Sequence, residues 1–177
     1  SIAIPLTTSE RREYIPLCII DSTYIGTNAL SILYDVEPYY FGILHSKMHM
    51  VWVDAVGGKL KTDYRYSAKL CYNTFPFPEI SEKQKLTINE YVFAILDERA
   101  KYTEKTMAWL YNPETMPKEL KQAHQNLDRA IEEIYRMGNP FTSDAERLEH
   151  LFKRYDEMTK KDTLFAKQKK TRKKTKI

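Results

Sequence analysis

Glycine is scarce in this chain, at five in 177 residues. None of the five builds a phosphate-cradling loop, which excludes a nucleotide- or cofactor-binding domain of the usual α/β kind within this segment. Cysteine is scarcer still. Cys18 and Cys71 sit in apolar, strand-like surroundings (PLCII and KLCYN). One disulfide between them is geometrically open. Without a secretory signal, the composition favours two buried thiols in a cytoplasmic protein. No apolar run approaches the roughly 18–20 residues that span a bilayer, so no membrane partner is expected. The chain begins Ser1-Ile-Ala-Ile-Pro with no Met and no targeting segment. It reads as a piece of a longer polypeptide whose further motifs lie upstream.

An excess of one charge is also missing from the body. Residues 1–80 hold 7 Lys/Arg against 8 Asp/Glu, a net of −1, and residues 81–166 hold 14 against 16, a net of −2. The overall +4 comes from residues 167–177, with 7 basic residues and no acidic ones. A uniformly basic protein that coats nucleic acid is excluded, whereas a site-specific binder with a local basic face is not. What is present is 42% hydrophobic residues, enough for a core, and 13 tyrosines, whose apolar rings and polar tips suit binding surfaces.

The pattern changes near residue 80. Residues 13–20 (EYIPLCII) read as a strand with Pro16 at an edge or bulge, and residues 28–33 (NALSIL) as a second strand. Pro38 suits the first turn of a helix. Phe41, Leu44, Met48, Trp52 and Val56 then continue it at helical spacing to Gly57-Gly58. Residues 59–72 alternate as a half-buried strand or hairpin does, and NTFPFP at 73–78 is a stiff exit. Beyond it Ser81 and Gln84 form a capping-box pattern for a helix to about Lys105. Pro117 opens a second helix that Gly138 closes, and Thr142 or Ser143 caps a third. The fold class expected is α+β: a small mixed β/α recognition subdomain (1–80), then a bundle of about three helices (81–166). The Lys-rich residues 167–177 are expected to be a disordered tail.

Candidate chemistry is sparse. His45 and His49 are four residues apart on the expected helix, a spacing that suits a metal, but no third ligand is evident. The plainer reading is helix-face histidines at a domain junction or near a phosphate. No nucleophile sits in a catalytic setting. Asn112-Pro113-Glu114 and Asn139-Pro140-Phe141 read as helix-breaking turns. No catalytic residue and no metal ligand is therefore assigned. The stretch KLKTDYRY at 59–66 is more informative. As one extended strand it places Lys59, Lys61, Asp63 and Arg65 on one face, at about 7 Å intervals. Lys or Arg donates to guanine, and Asp accepts from cytosine N4. The alternative is a solvated face with an internal salt bridge, and charge pattern alone favours that alternative.

Three longer strings decide between them: YFGILHSKMHMVW at 40–52, GKLKTDYRYS at 58–67 and YNTFPFP at 72–78. Together they resemble the C-terminal part of the single-chain type IIL and IIG restriction–modification enzymes, the Mme-type adenine DNA methyltransferases. PKELKQAHQNLDRA at 117–130 and NPFTSDAER at 139–147 resemble that family's C-terminal helices. The resemblance implies that residues 1–80 are the latter part of a DNA target recognition domain and residues 81–166 the helical domain after it. It implies double-stranded DNA as partner, with Lys61, Asp63 and Arg65 reading bases and Lys47, Lys59 and Lys69 on phosphates. Tyr64, Tyr66 and Trp52 are expected to pack the core. The cofactor, S-adenosylmethionine, belongs to an upstream methyltransferase domain of the same polypeptide, and none is expected in this segment. The alternative from another class is a purely structural helical scaffold module that reads no bases.

Overall fold

The computed structural model describes the backbone of residues 1–174 and the side chains of residues 1–160. The chain opens with one extended run that serves two sheets. Strand β1 (Ile2–Pro5) pairs antiparallel with β3 (Cys18–Ile19) on one side and β4 (Leu30–Leu33) on the other. Strand β2 (Thr7–Thr8) lies at the edge of a second sheet, beside β6 (Asp63–Arg65), which pairs in turn with β5 (Gly58–Leu60). Leu6 joins them: its N–H donates to the Ala29 carbonyl at 2.9 Å, and its carbonyl accepts from the Tyr66 N–H at 2.8 Å. Pro5, which has no N–H to pair, stands where the run changes sheets. Ile2 and Ile4 bury their side chains. Only Cys18–Ile19 of the expected strand at residues 13–20 is extended in a ladder, and Pro16 precedes it. Both cysteines are free thiols.

Pro38 occupies the first turn of α1 (Pro38–Leu44), as its fixed φ favours. The single helix expected from Pro38 to Val56 is in fact two. Ser46 ends the first by donating from Oγ to the Ile43 carbonyl at 2.7 Å, and it caps α2 (Lys47–Val56) by accepting from the His49 N–H. His45 and His49 therefore do not share one helix. Gly42 lets α1 lie close to the bundle, since a Cβ there would come within 2.6 Å of Ile88 and 3.0 Å of Val92.

After β5 (Gly58–Leu60), β6 (Asp63–Arg65) and a single π-helical turn at Ala68–Tyr72, the rest is helical: α3 (Glu82–Ala100), one-turn α4 (Met107–Leu110), α5 (Lys118–Tyr135) and α6 (Asp144–Lys174). The Ser81–Gln84 capping box is formed, and Thr106 caps the unexpected α4. Asn112 Oδ1 accepts from the Glu114 N–H, so the first Asn-Pro motif is a turn. α6 runs on to Lys174, where the sequence led us to expect disorder from residue 167. That stretch holds no Gly or Pro and is rich in Lys, Gln and Arg, which favour helix. Residues 175–177 of the expected tail lie outside the described residues.

One core serves both halves. α3 packs on α5 and α1, and α2 packs on α6. Trp52 and Tyr66 are buried and Tyr64 is half-buried, so all three expected core aromatics pack inward. Trp52 also donates from Nε1 to Thr74 at 3.2 Å. A buried polar seam crosses the junction. Arg99 donates from Nη1 to the Leu17 carbonyl at 2.8 Å and from Nε to Tyr111 Oη at 2.7 Å, and its Nη2 faces the His45 ring. The guanidinium can only donate, so Tyr111 must give its own proton to His124 Nε2, 2.8 Å away. Tyr14 donates to Asp128 Oδ2 at 2.7 Å and stacks on His124, while the Lys47 N–H donates to Asp128 Oδ1 at 2.6 Å.

Burial holds His45 and His124 well below the ordinary histidine pKa and His49 at about 3. These three are neutral in both states above pH 6.5. Below it the unfolded chain takes up protons that the fold refuses, at about 1.4 kcal/mol per pH unit for each histidine. Asp128 acts in the opposite sense. Burial raises its pKa to about 6 against the Tyr14 and Lys47 hydrogen bonds, so between pH 6 and its ordinary 3.8 the fold gains a proton first. The net expectation is a urea midpoint that is level from about pH 7.5 to 8, falls steeply below pH 6.5, and declines again above about pH 8.5, where burial keeps the Cys18 and Cys71 thiols protonated. His150 is lowered by burial as well, so His49→Gln should remove roughly a quarter to a third of the histidine contribution, and a midpoint level down to pH 5 would contradict the burial of neutral rings. Arg99→Lys should destabilise the fold by roughly 2–4 kcal/mol in the same assay, because an ammonium cannot serve the Leu17 and Tyr111 acceptors together.

Candidate nucleic-acid interface

The exit from α2 builds the candidate site. Gly57 closes α2, its N–H donating to the Val53 carbonyl at 2.9 Å, and a Cβ on it would lie 2.4 Å from that oxygen. The chain turns there directly into β5. Leu60 pairs with Asp63, Lys59 with Tyr64 and Gly58 with Arg65, so residues 58–65 form a tight hairpin around Lys61 and Thr62. Its inner strand pairs with β2, Thr7 opposite Arg65 and Thr8 opposite Tyr64.

Of the strand or hairpin expected here the hairpin forms, so the shared face that Lys59, Lys61, Asp63 and Arg65 would have on one extended strand does not. Alternation holds only within a strand, and the turn at residues 61–62 resets it. Cross-strand partners share a face. Lys59 and Tyr64, with buried Thr8, face inward, whereas Leu60, Asp63, Arg65 and Thr7 face outward. Lys61 stands at the tip with φ +57°, a left-handed conformation that turns usually give to Gly, Asn or Asp. Lys-Thr is not common turn chemistry, which is why the reversal was hidden. The reversal takes Lys59 off the face of Asp63 and Arg65 and puts Leu60 and Thr7 on it.

The six candidate residues separate by what their side chains already touch. Lys59 Nζ lies 2.8 Å from Asp54 Oδ1 and 3.7 Å from the centroid of the Tyr64 ring, so its ammonium ties the hairpin to α2. Lys47 Nζ lies 3.0 Å from Asp144 Oδ2 and ties α2 to α6. Lys47 borders a mixed-charge cleft of about 370 Å³, together with Asp54, Tyr64 and Asp144. By contrast, Lys61, Asp63, Arg65 and Lys69 make no side-chain hydrogen bond or ion pair among the described residues. Lys69 is exposed on the π-helical turn that follows the hairpin. The tip and the outward face together thus offer Lys61, Arg65 and Asp63, two cations and one carboxylate without a side-chain hydrogen bond or ion pair.

A second segment flanks this face. Residues 21–29 end at Ala29, one strand away from Tyr66 through Leu6. The loop is ordered by Asp21 Oδ1, which accepts from the Thr23 N–H at 2.8 Å, and it presents Ile25 almost fully to solvent. Among the described residues no group of three or more His, Cys, Asp or Glu is placed to hold a metal ion. No helix among them is long and apolar enough to cross a membrane.

Comparison with known proteins gives this geometry a family. Residues 1–79 match the family described as MmeI, target recognition domain, and residues 80–163 match MmeI, C-terminal domain. DNA methyltransferase A of Bacillus subtilis (strain 168) is 53% identical over 161 residues, which is 91% of this chain and 18% of that protein. A solved structure of the Type IIL restriction-modification enzyme MmeI in complex with DNA superposes with a TM-score of 0.85 at 44% identity, over 90% of this chain and 21% of that one. This chain therefore spans about a fifth of the length of the relatives it matches. The chain belongs to the MmeI family, as a target recognition domain followed by the family's C-terminal domain.

Proposed function

We propose that this chain is the sequence-reading part of a longer, site-specific N6-adenine DNA methyltransferase. It binds double-stranded DNA and presents an adenine for flipping into an upstream catalytic domain of the same polypeptide. S-adenosylmethionine supplies the methyl group there. The residues here do not fit that cofactor. No glycine-rich turn follows a strand, and none of His49, Asn89, His124, His150 and Arg154, which carry the buried unpartnered polar atoms, lines the larger clefts. The segment's own work is recognition, not bond-making.

The observation that carries the reading is Lys61 at the hairpin tip. A left-handed backbone costs a non-glycine residue roughly 1–2 kcal/mol, and the Lys61 side chain gains no hydrogen bond or ion pair among the described residues in return. A side chain kept at that cost is kept for an outside partner. Lys61, Asp63 and Arg65 enter the major groove, which admits a two-stranded β-ribbon, and read base edges. Lys69 takes a phosphate. Lys47 and Lys59 brace the hairpin through Asp144 and Asp54. The helical half is a scaffold that holds α1 and α2 in place.

The test is long-read mapping of N6-methyladenine in cells expressing the full-length enzyme. Asp63→Ala should relax discrimination at one base pair, by about 1–3 kcal/mol. Lys61→Gly should relax it as well, while raising the unfolding free energy by up to about 1 kcal/mol as the backbone strain is relieved. An unchanged methylated motif in both variants would leave the hairpin a structural role. In DNA binding, Lys69→Ala should lower the salt slope by about one unit, and Lys59→Ala should not. Equal slopes for the two variants would overturn that division.

A further inference from the structure

Leu60 has no structural duty. It is 53% exposed and belongs neither to the core nor to the residues packed against it. Singly exposed leucines are common and mean little by themselves. This one stands between Lys61 at the strained tip and Gly58 on its own strand, directly across from Asp63. It shares the outward face with Asp63, Arg65 and Thr7, and the absence of a side chain at Gly58 leaves nothing between Leu60 and the Arg65 stem on that strand. The face therefore carries donors, an acceptor and one apolar side chain.

That set matches what the major groove displays. Besides donors and acceptors, the groove offers one apolar feature, the 5-methyl group of thymine. Cross-strand partners such as Leu60 and Asp63 have Cβ atoms about 5 Å apart. Successive base pairs rise by about 3.4 Å, so the two side chains reach neighbouring base pairs. A protein partner is a poorer fit, because the outward face offers a single apolar side chain amid polar ones rather than a contiguous patch.

We infer that Leu60 is a specificity residue that packs on the 5-methyl group of a pyrimidine beside the base pair read by Asp63. The inference rests on the hairpin being the reading element. A methyl group removed from water at this contact is worth roughly a fourfold preference.

The full-length methyltransferase is assayed on duplexes carrying its methylated motif. Each thymine is replaced singly by uracil, which lacks the 5-methyl group, and each cytosine singly by 5-methylcytosine, which gains it. Wild-type enzyme should show about a fourfold change in kcat/KM at one position, adjacent to the pair whose discrimination Asp63→Ala relaxes: a loss for uracil or a gain for 5-methylcytosine. Leu60→Ala should be indifferent to the 5-methyl group there, and Leu60→Met, which keeps an apolar contact, should retain the sensitivity. Thermal unfolding of this chain should be little changed by either substitution, which separates lost contact from lost fold. A wild-type enzyme indifferent to every 5-methyl change would overturn the inference, as would a Leu60→Ala variant that keeps the wild-type sensitivity. If Asp63→Ala still altered the motif in those cases, hairpin reading would stand and only the role of Leu60 would fall. If Asp63→Ala altered nothing either, both would fall.

Discussion

The Arg99 guanidinium, brought from α3 into the junction between the two halves, fixes where everything else can stand. A partly buried cation is best met by acceptors, and here they come from both halves: the Leu17 carbonyl before β3, the His45 ring at the end of α1, and Tyr111 after α4. Tyr111 then orients His124, His124 stacks on Tyr14, and Tyr14 holds Asp128. Asp128 in turn takes the first backbone N–H of α2. The seam thus fixes one end of α2, and the other end launches the hairpin through Gly57. A short helix held at its N-terminus by the Asp128 carboxylate makes a stiff arm for the hairpin.

Charge is divided along the same line. Residues 1–80 are almost neutral, and part of their positive charge is spent internally on Asp54, Asp144 and Glu114. What stays free is concentrated at the hairpin and the turn after it. Phosphate contacts set affinity and base contacts set selectivity, so on the proposed function a face with few free cations would contribute selectivity and leave most of the affinity to other surfaces. That division suits a recognition segment in a polypeptide several times its length.

Much of the secondary structure was legible because its signals are local. Pro38, the Ser81–Gln84 box, Pro117 and the strand within residues 28–33 each act through their own backbone. The break after Leu44 was not, because Ser46 interrupts an unbroken apolar stripe by hydrogen bonding alone. The first strand was missed because β1 exists only through Ile19 and Leu33, distant in sequence. At the candidate site the residue types were legible and their arrangement was not. Lys61 adopts a turn conformation that its side chain does not advertise, so the alternation seemed to continue straight through it. Which lysines are free was beyond the sequence, since Asp54 and Asp144 come from α2 and α6.

The two faces of the hairpin carry opposite constraints. On the inner face, Thr8 is buried, Tyr64 is half-buried and Lys59 is clamped between Asp54 and the Tyr64 ring, so a change there disturbs the support beneath. On the outer face, Leu60, Asp63 and Arg65 spend no side-chain hydrogen bond, ion pair or core contact on the fold. Substitution on that face costs little stability, because surface positions without such partners shift it by only about 0.5 kcal/mol. The backbone can therefore keep its register while its outward residues are exchanged. A hairpin built this way separates the residues that the fold requires from those that are free for an outside partner.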